Sequence, residues 1–152
     1  MSKPFVGALT DVHTSQLNEL GSEVTVASET YVYLKGVTSL ADGDWVSYRA
    51  GTWTAVRLAA SAKGSVGIAQ AAVDAATKYG WFKIVGSDTA VCESSIVSNA
   101  NCYAMATAGR VDDAIVKNDQ VKRAVTTTAG VAGGTATVSI DRPYIGSNDE
   151  SA

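Results

Sequence analysis

The sequence predicts an all-β protein, an antiparallel β-sandwich or barrel, and three observations carry that expectation. Thr, Ser, Gly, Ala and Val are abundant, Leu is scarce, and charged residues make up only 18%. This mix suits short strands and tight turns better than amphipathic helices, which want Leu, Glu and Lys. Apolar and polar residues alternate with a period of two in stretch after stretch. Turn formers such as Asp42-Gly43, Ala50-Gly51 and Ala108-Gly109 separate those stretches.

Tyr79–Gly86, read Tyr-Gly-Trp-Phe-Lys-Ile-Val-Gly, is the run the rest is built around. A short apolar run between glycines reads as a strand covered on both faces. Alternation places Phe82 and Ile84 on one face and Trp81, Lys83 and Val85 on the other. At 152 residues the chain is one domain, or two small halves sharing a core. A chain of this length buries roughly 68–70% of its unfolded surface and needs no disulfide framework.

Residues Met1–Gly21 read as an N-terminal arm, extended or with a short helical turn over Val12–Leu20, capped by Thr10 or Asp11 and stopped by Gly21. About two turns of helix are marginal alone in water, so the arm must dock on its own domain or on a neighbour. Phe5, Leu9, Leu17 and Leu20 are its candidate interface residues, and the sequence favours the neighbour. The β domain spans residues 22–145. Val24 and Val26 open it, Ser28-Glu29 turns the chain, and Tyr31 and Tyr33 share one face of the next strand with Val32 on the other. Strands follow at Trp45–Tyr48, Thr52–Leu58 and Val66–Ala72. The alanines of Ala69–Lys78 favour helix by propensity, but the spacing fits a hairpin connection into Tyr79–Gly86. Thr89–Glu93, Cys102–Ala106, Arg110–Val116, Val121–Thr126 and Thr135–Asp141 come next, and Arg142–Ile145 closes the fold. The tail Gly146–Ala152 is acidic and reads as disordered.

The halves on either side of Tyr79–Gly86 correspond weakly. Leu40…Asp42-Gly43-Asp44-Trp45-Val46-Ser47-Tyr48…Ala50-Gly51 parallels Val97…Asn99-Ala100-Asn101-Cys102-Tyr103-Ala104-Met105…Ala108-Gly109, and Val66–Ala69 answers Val121–Ala124. Two similar β units packed together predict a sandwich or barrel.

Searches for site chemistry return bland readings. The formal net charge is -3 and no Lys/Arg cluster stands out, so no nucleic-acid partner is expected. No apolar run approaches the ~18 residues of a membrane span. The start lacks the apolar core of a signal peptide, which leads us to expect assembly in a cytoplasm. Cys92 and Cys102 read as small buried hydrophobes, a disulfide being disfavoured in that compartment. Together with His13 they fall short of a four-ligand zinc site. A Ser-His-Asp arrangement would place its base on the arm rather than on a rigid element. Asp42/Asp44 and Asp112/Asp113 sit at turns, where Asp is expected for backbone reasons. The aromatics Tyr31, Trp45, Trp53, Tyr79 and Trp81 fit a carbohydrate or base-stacking platform, but such residues more often form core and cross-strand packing. We therefore expect no catalytic, metal or cofactor residues.

The order of signals nevertheless resembles one family. It runs through Thr30–Val37, Leu40–Val46, Ala62-Lys63-Gly64-Ser65-Val66-Gly67-Ile68-Ala69, Tyr79–Gly86, Thr107-Ala108-Gly109-Arg110-Val111-Asp112-Asp113-Ala114 and Gly134–Pro143. In that order, from about Leu20 to Ile145, the chain is similar to the capsid decoration (cement) proteins of tailed bacteriophages. The resemblance implies a β-sandwich or barrel protomer, usually a homotrimer, bound to the outer surface of a capsid over contacts between major capsid proteins. That family has no catalytic residues to carry over. The alternatives are a virion surface protein that binds a host receptor or glycan, and a surface hydrolase.

Overall fold

The computed structural model describes residues 8–146. Phe5 and the tail beyond Gly146 lie outside them. The described residues form ten strands and no helix. In chain order these are β1 (Glu23–Val26), β2 (Glu29–Lys35), β3 (Trp45–Tyr48), β4 (Val56–Arg57), β5 (Gly64–Ala69), β6 (Tyr79–Val91), β7 (Asn101–Ala104), β8 (Val111–Asp112), β9 (Gln120–Thr126) and β10 (Thr135–Ile145). Every strand pair is antiparallel. The all-β expectation therefore holds.

The central strand is longer than its sequence implies. β6 runs through Gly86 and absorbs the separate strand expected from Thr89, because Gly86 takes φ +125° and lets the chain bend without breaking. A Cβ there would lie 2.8 Å from Glu29 Cγ, so any side chain would displace Glu29 as well as strain the backbone. At this bend β6 changes partners. Its first half lies between β2 and β5, and its second half pairs with β10.

Two strand paths result. In the first, β2 pairs β6, β6 pairs β5, β5 pairs β3 and β3 pairs β4. A parallel bridge from Lys35 to Thr54 then links the end of β2 to the residues just before β4. In the second, the far half of β6 pairs β10, β10 pairs β9, β9 pairs β7 and β7 pairs β8. A parallel bridge from Cys92, one residue past β6, reaches Val111 of β8. The paths share β6 and touch again where Tyr144 and Ile145 pair with Ser65 and Gly64.

Alternation then sorts the side chains into layers. Val32, Leu34, Phe82 and Ile84 point to one core with Val46 and Ala69. The other face of β3 and β5, through Trp45, Val66 and Ile68, joins a larger core with β7–β10. The outer face of β2 and β6 carries a third cluster, Tyr31, Tyr33 and Trp81. The faces read for Tyr31, Val32 and Tyr33 and for Trp81 through Ile84 are as observed. Val85, expected beside Trp81 and Lys83, packs instead against the Phe82 and Ile84 core, because the register of β2 on β6 shifts between Thr30 and Tyr31 and breaks the alternation. The β1–β2 turn falls at Ala27-Ser28, one residue early, with φ +52° and +69°, the two left-handed residues a two-residue hairpin of this twist requires. The strands expected at Thr52–Leu58 and Arg110–Val116 shrink to Val56–Arg57 and Val111–Asp112.

Candidate functional site

The arm does not form the helical turn over Val12–Leu20. His13 pairs instead with Tyr79 as an antiparallel bridge, His13 N to Tyr79 O at 2.8 Å and Tyr79 N to His13 O at 2.9 Å. A contact with the edge of β6 satisfies backbone groups that two isolated helical turns would leave to water. The imidazole is buried, its Nδ1 lies 2.8 Å from the Tyr33 hydroxyl, and its Nε2 has no partner among the described residues. Tyr33 stacks with Tyr79 and tilts against Trp81, with centroids 6.3 and 5.0 Å apart. Burial raises the Tyr33 phenol above its ordinary value, against the lowering effect of hydrogen bonds from Leu17 and Asn18. Leu9 and Leu20 are half-buried against this aromatic cluster of their own chain. Leu17 is exposed, and Phe5 lies outside the described residues.

Below the arm, Lys83 is buried on the face that alternation assigned to it. Its ammonium donates to Glu29 Oε2 at 3.0 Å and to the Ser87 carbonyl at 2.7 Å, and sits 5.5 Å from the Tyr31 ring centroid. A buried charge needs such a full set of partners. Glu29 accepts the Tyr31 hydroxyl as well. The pair ties β2 to β6 at the bend.

The acidic turn pairs divide. Asp44 is buried, accepts the Ala41 N–H at 3.0 Å and pairs with Arg57 at 3.0 Å, a turn residue that also holds the β3–β4 hairpin. Asp113 accepts the Val97 N–H at 2.9 Å. Among the described residues no group of three or more His, Cys, Asp or Glu is placed to hold a metal ion. Cys92 and Cys102 are buried free thiols, which burial pushes up, Cys102 to about 12. Of the candidate aromatic platform, Tyr31, Trp45 and Trp81 are core; Trp53 and Tyr79 keep a partly open face.

A surface the sequence reading missed lies at the far end. The Asp113 hydrogen bond holds the β8–β9 loop beside Val97, and this loop exposes Ile115 at 84%, with Val97 and Val116 also exposed. The signal was present: Asp112-Asp113 is a turn former inside what alternation treated as a strand, which leaves Ala114-Ile115-Val116 on a loop tip. Compared with protein-family models, with curated proteins and with solved structures, the chain matches none.

Proposed function

We propose that this protein is a structural virion component that binds the exterior of a phage capsid as a homotrimer and stabilises the shell by bridging major capsid protein subunits. The ordered resemblance to decoration proteins supplies the partner. The observation that carries the reading is the apolar tip at Ile115, with Val97 clamped beside it by Asp113. A single exposed apolar side chain would mean little, but Ile115, Val116 and Val97 are exposed together, and grouped apolar surface is what contact sites present. The recurrence of one pairing order in both strand paths supports reading the domain as two similar β units, a rigid sandwich suited to display that tip.

Energetics favours this mode of action. One tip covers far less than the ~1,200–2,000 Å² of a stable interface. Three copies joined in a trimer bind together, because later contacts form at roughly millimolar effective concentration. A ligand that binds only the assembled shell stabilises it by ~4 kcal/mol per site at a thousandfold excess over Kd. The test is to mix purified protein with undecorated capsids and count the copies bound. Ile115→Asp is expected to lower that count sharply while leaving the protein's thermal unfolding unchanged. Unaltered protein that sediments as a monomer and ignores shells would end the proposal.

A further inference from the structure

A cleft of about 290 Å³ opens where β10 leaves β6 for β5. Tyr48 of β3, Trp53 of the β3–β4 connection and Tyr144 of β10 line it, together with Ser65 of β5. Glu23 of β1 and Arg142 of β10 complete it, joined by a two-point ion pair at 2.8 and 3.0 Å. Residues from both ends of the chain thus converge on one concavity.

Two of them hold left-handed backbone without being glycine, Trp53 at φ +49° and Arg142 at φ +48°. For a residue as bulky as Trp this is a true outlier, and such strain persists only where its surroundings over-determine it. Trp53 is so held: its N–H donates to the Arg49 carbonyl and its carbonyl accepts from Lys35, each at 3.0 Å. Its indole packs on Gly21, where any Cβ would collide with the ring. Tyr48 lies beside it, with centroids 6.1 Å apart and planes tilted by 31°. Burial, then the Glu23 charge, pushes the Tyr48 phenol up to about 12 against the pull of Arg142, so its hydroxyl remains a donor.

On the other side of Tyr48 lies a second cleft of about 420 Å³, offering the hydroxyls of Ser47, Thr52 and Thr54. Arg49 and Lys63 flank it, both exposed. Neither forms an ion pair among the described residues, as is also true of Lys35 and Lys117; what sets Arg49 and Lys63 apart is that both line this one cleft. We infer that the two clefts form one groove for an acidic oligosaccharide, with a sugar ring against Tyr48, Trp53 and Tyr144 and a sugar carboxylate on Arg49 and Lys63. A sugar presents a C–H face, which aromatic walls accept, and a hydroxyl rim. Arg142 has five N–H donors and commits two to Glu23, whose carboxylate in turn keeps free lone pairs, so the exposed pair offers both donors and acceptors to that rim. This goes beyond the shell-binding reading and does not depend on it.

The test is full-length protein on an array carrying uronate-bearing, sialate-bearing and neutral oligosaccharides, with hits titrated by tryptophan fluorescence. Binding is expected on the acid-bearing members and to weaken with salt. Trp53→Ala is expected to lower affinity by about tenfold or more. Because Trp53 also packs inward, two surface variants keep the test open: Tyr144→Ala, and Arg49→Ala with Lys63→Ala. Tyr144→Ala should weaken binding to every hit. The double variant should abolish the preference for acid over neutral sugars. Absence of signal on every acidic member, equal signal on neutral ones, or unchanged binding in both surface variants would overturn the inference.

Discussion

The two strand paths share one pairing order but differ in what covers them. The first path, β2–β6–β5–β3–β4, has its outer aromatic face roofed by the arm, which buries His13 against Tyr33. The second path, β6–β10–β9–β7–β8, carries the larger core and exposes Ile115 beyond it. Pairing order alone thus leaves open what a unit does. Coverage is where the two part: the arm packs on the aromatic face of the first path, whereas Ile115 stays exposed at the end of the second.

The seam between the paths offers the strongest way to break this comparison. Trp45 belongs to the first path by its backbone, yet its side chain lies in the core of the second, with Nε1 donating to the Val91 carbonyl at 3.0 Å. Trp45→Ala is expected to cost about 3–5 kcal/mol, the range for a fully buried Trp. Because the residue ties both cores, chemical denaturation should still show one transition, shifted to lower denaturant. Two separate transitions would mean that the paths are independent units sharing a strand only by adjacency.

A smaller effect sharpens the comparison at two turns. Gly51 follows β3 and Gly109 follows β7, with φ +100° and +83°. Alanine at either pays roughly 1–2 kcal/mol for left-handed backbone. At Gly51 a Cβ meets nothing within 4 Å, whereas at Gly109 it lies 2.8 Å from Asp44 Cγ and 3.0 Å from Arg57 Nη2. Gly109→Ala should therefore cost about 1–3 kcal/mol more than Gly51→Ala, the usual range for overpacking, as read from melting or denaturant curves. The difference would measure how firmly the second path's turn is wedged into the first path's hairpin, where Trp45 N–H also bonds the Gly109 carbonyl at 3.0 Å. Equal costs would mean that the turn merely rests there.

What the sequence made legible follows the range of the interactions involved. The faces of β2 and β6 were readable because alternation is local: Tyr31, Tyr33 and Trp81 on one side, Val32, Leu34, Phe82 and Ile84 on the other. The burial of Lys83 was half readable; its face was clear, but Glu29 and the Ser87 carbonyl lie on other parts of the sheet bend. Of the two forms left open for the arm, extended or helical, the helical one fails because its decisive partners, Tyr33 and Tyr79, are remote in sequence. The left-handed Trp53 and Arg142 were invisible, since nothing in a local window asks a bulky residue to adopt φ > 0. For the same reason the groove around Tyr48 had no motif: its residues meet only once β10 has changed partners.

The smallest expected effect compares the ion pairs between neighbouring strands of each path. In the first, Glu29 meets buried Lys83; in the second, Arg123 and Asp141 meet at 2.6 Å with both side chains more than half exposed. Burial pushes the Glu29 carboxyl up, but the Lys83 hydrogen bond and charge, with the Tyr31 hydroxyl, outweigh it and hold it below its ordinary 4.5. The unfolded chain therefore takes up a proton at Glu29 before the folded one does. The stabilisation is complete above pH 4.5 and is lost as pH falls through the lowered native value. A third of the Glu29 side chain faces solvent, so its size is at most about 1 kcal/mol. Glu29→Gln should flatten the dependence of stability on pH below that point, with Lys83 still held by the Ser87 carbonyl. Asp141→Asn should change stability by no more than about 1 kcal/mol at neutral pH, because water already screens this exposed pair. An acid slope left unchanged by Glu29→Gln would place the acid sensitivity elsewhere than the bend of β6, and would remove the bend as the point at which the roofed path is secured.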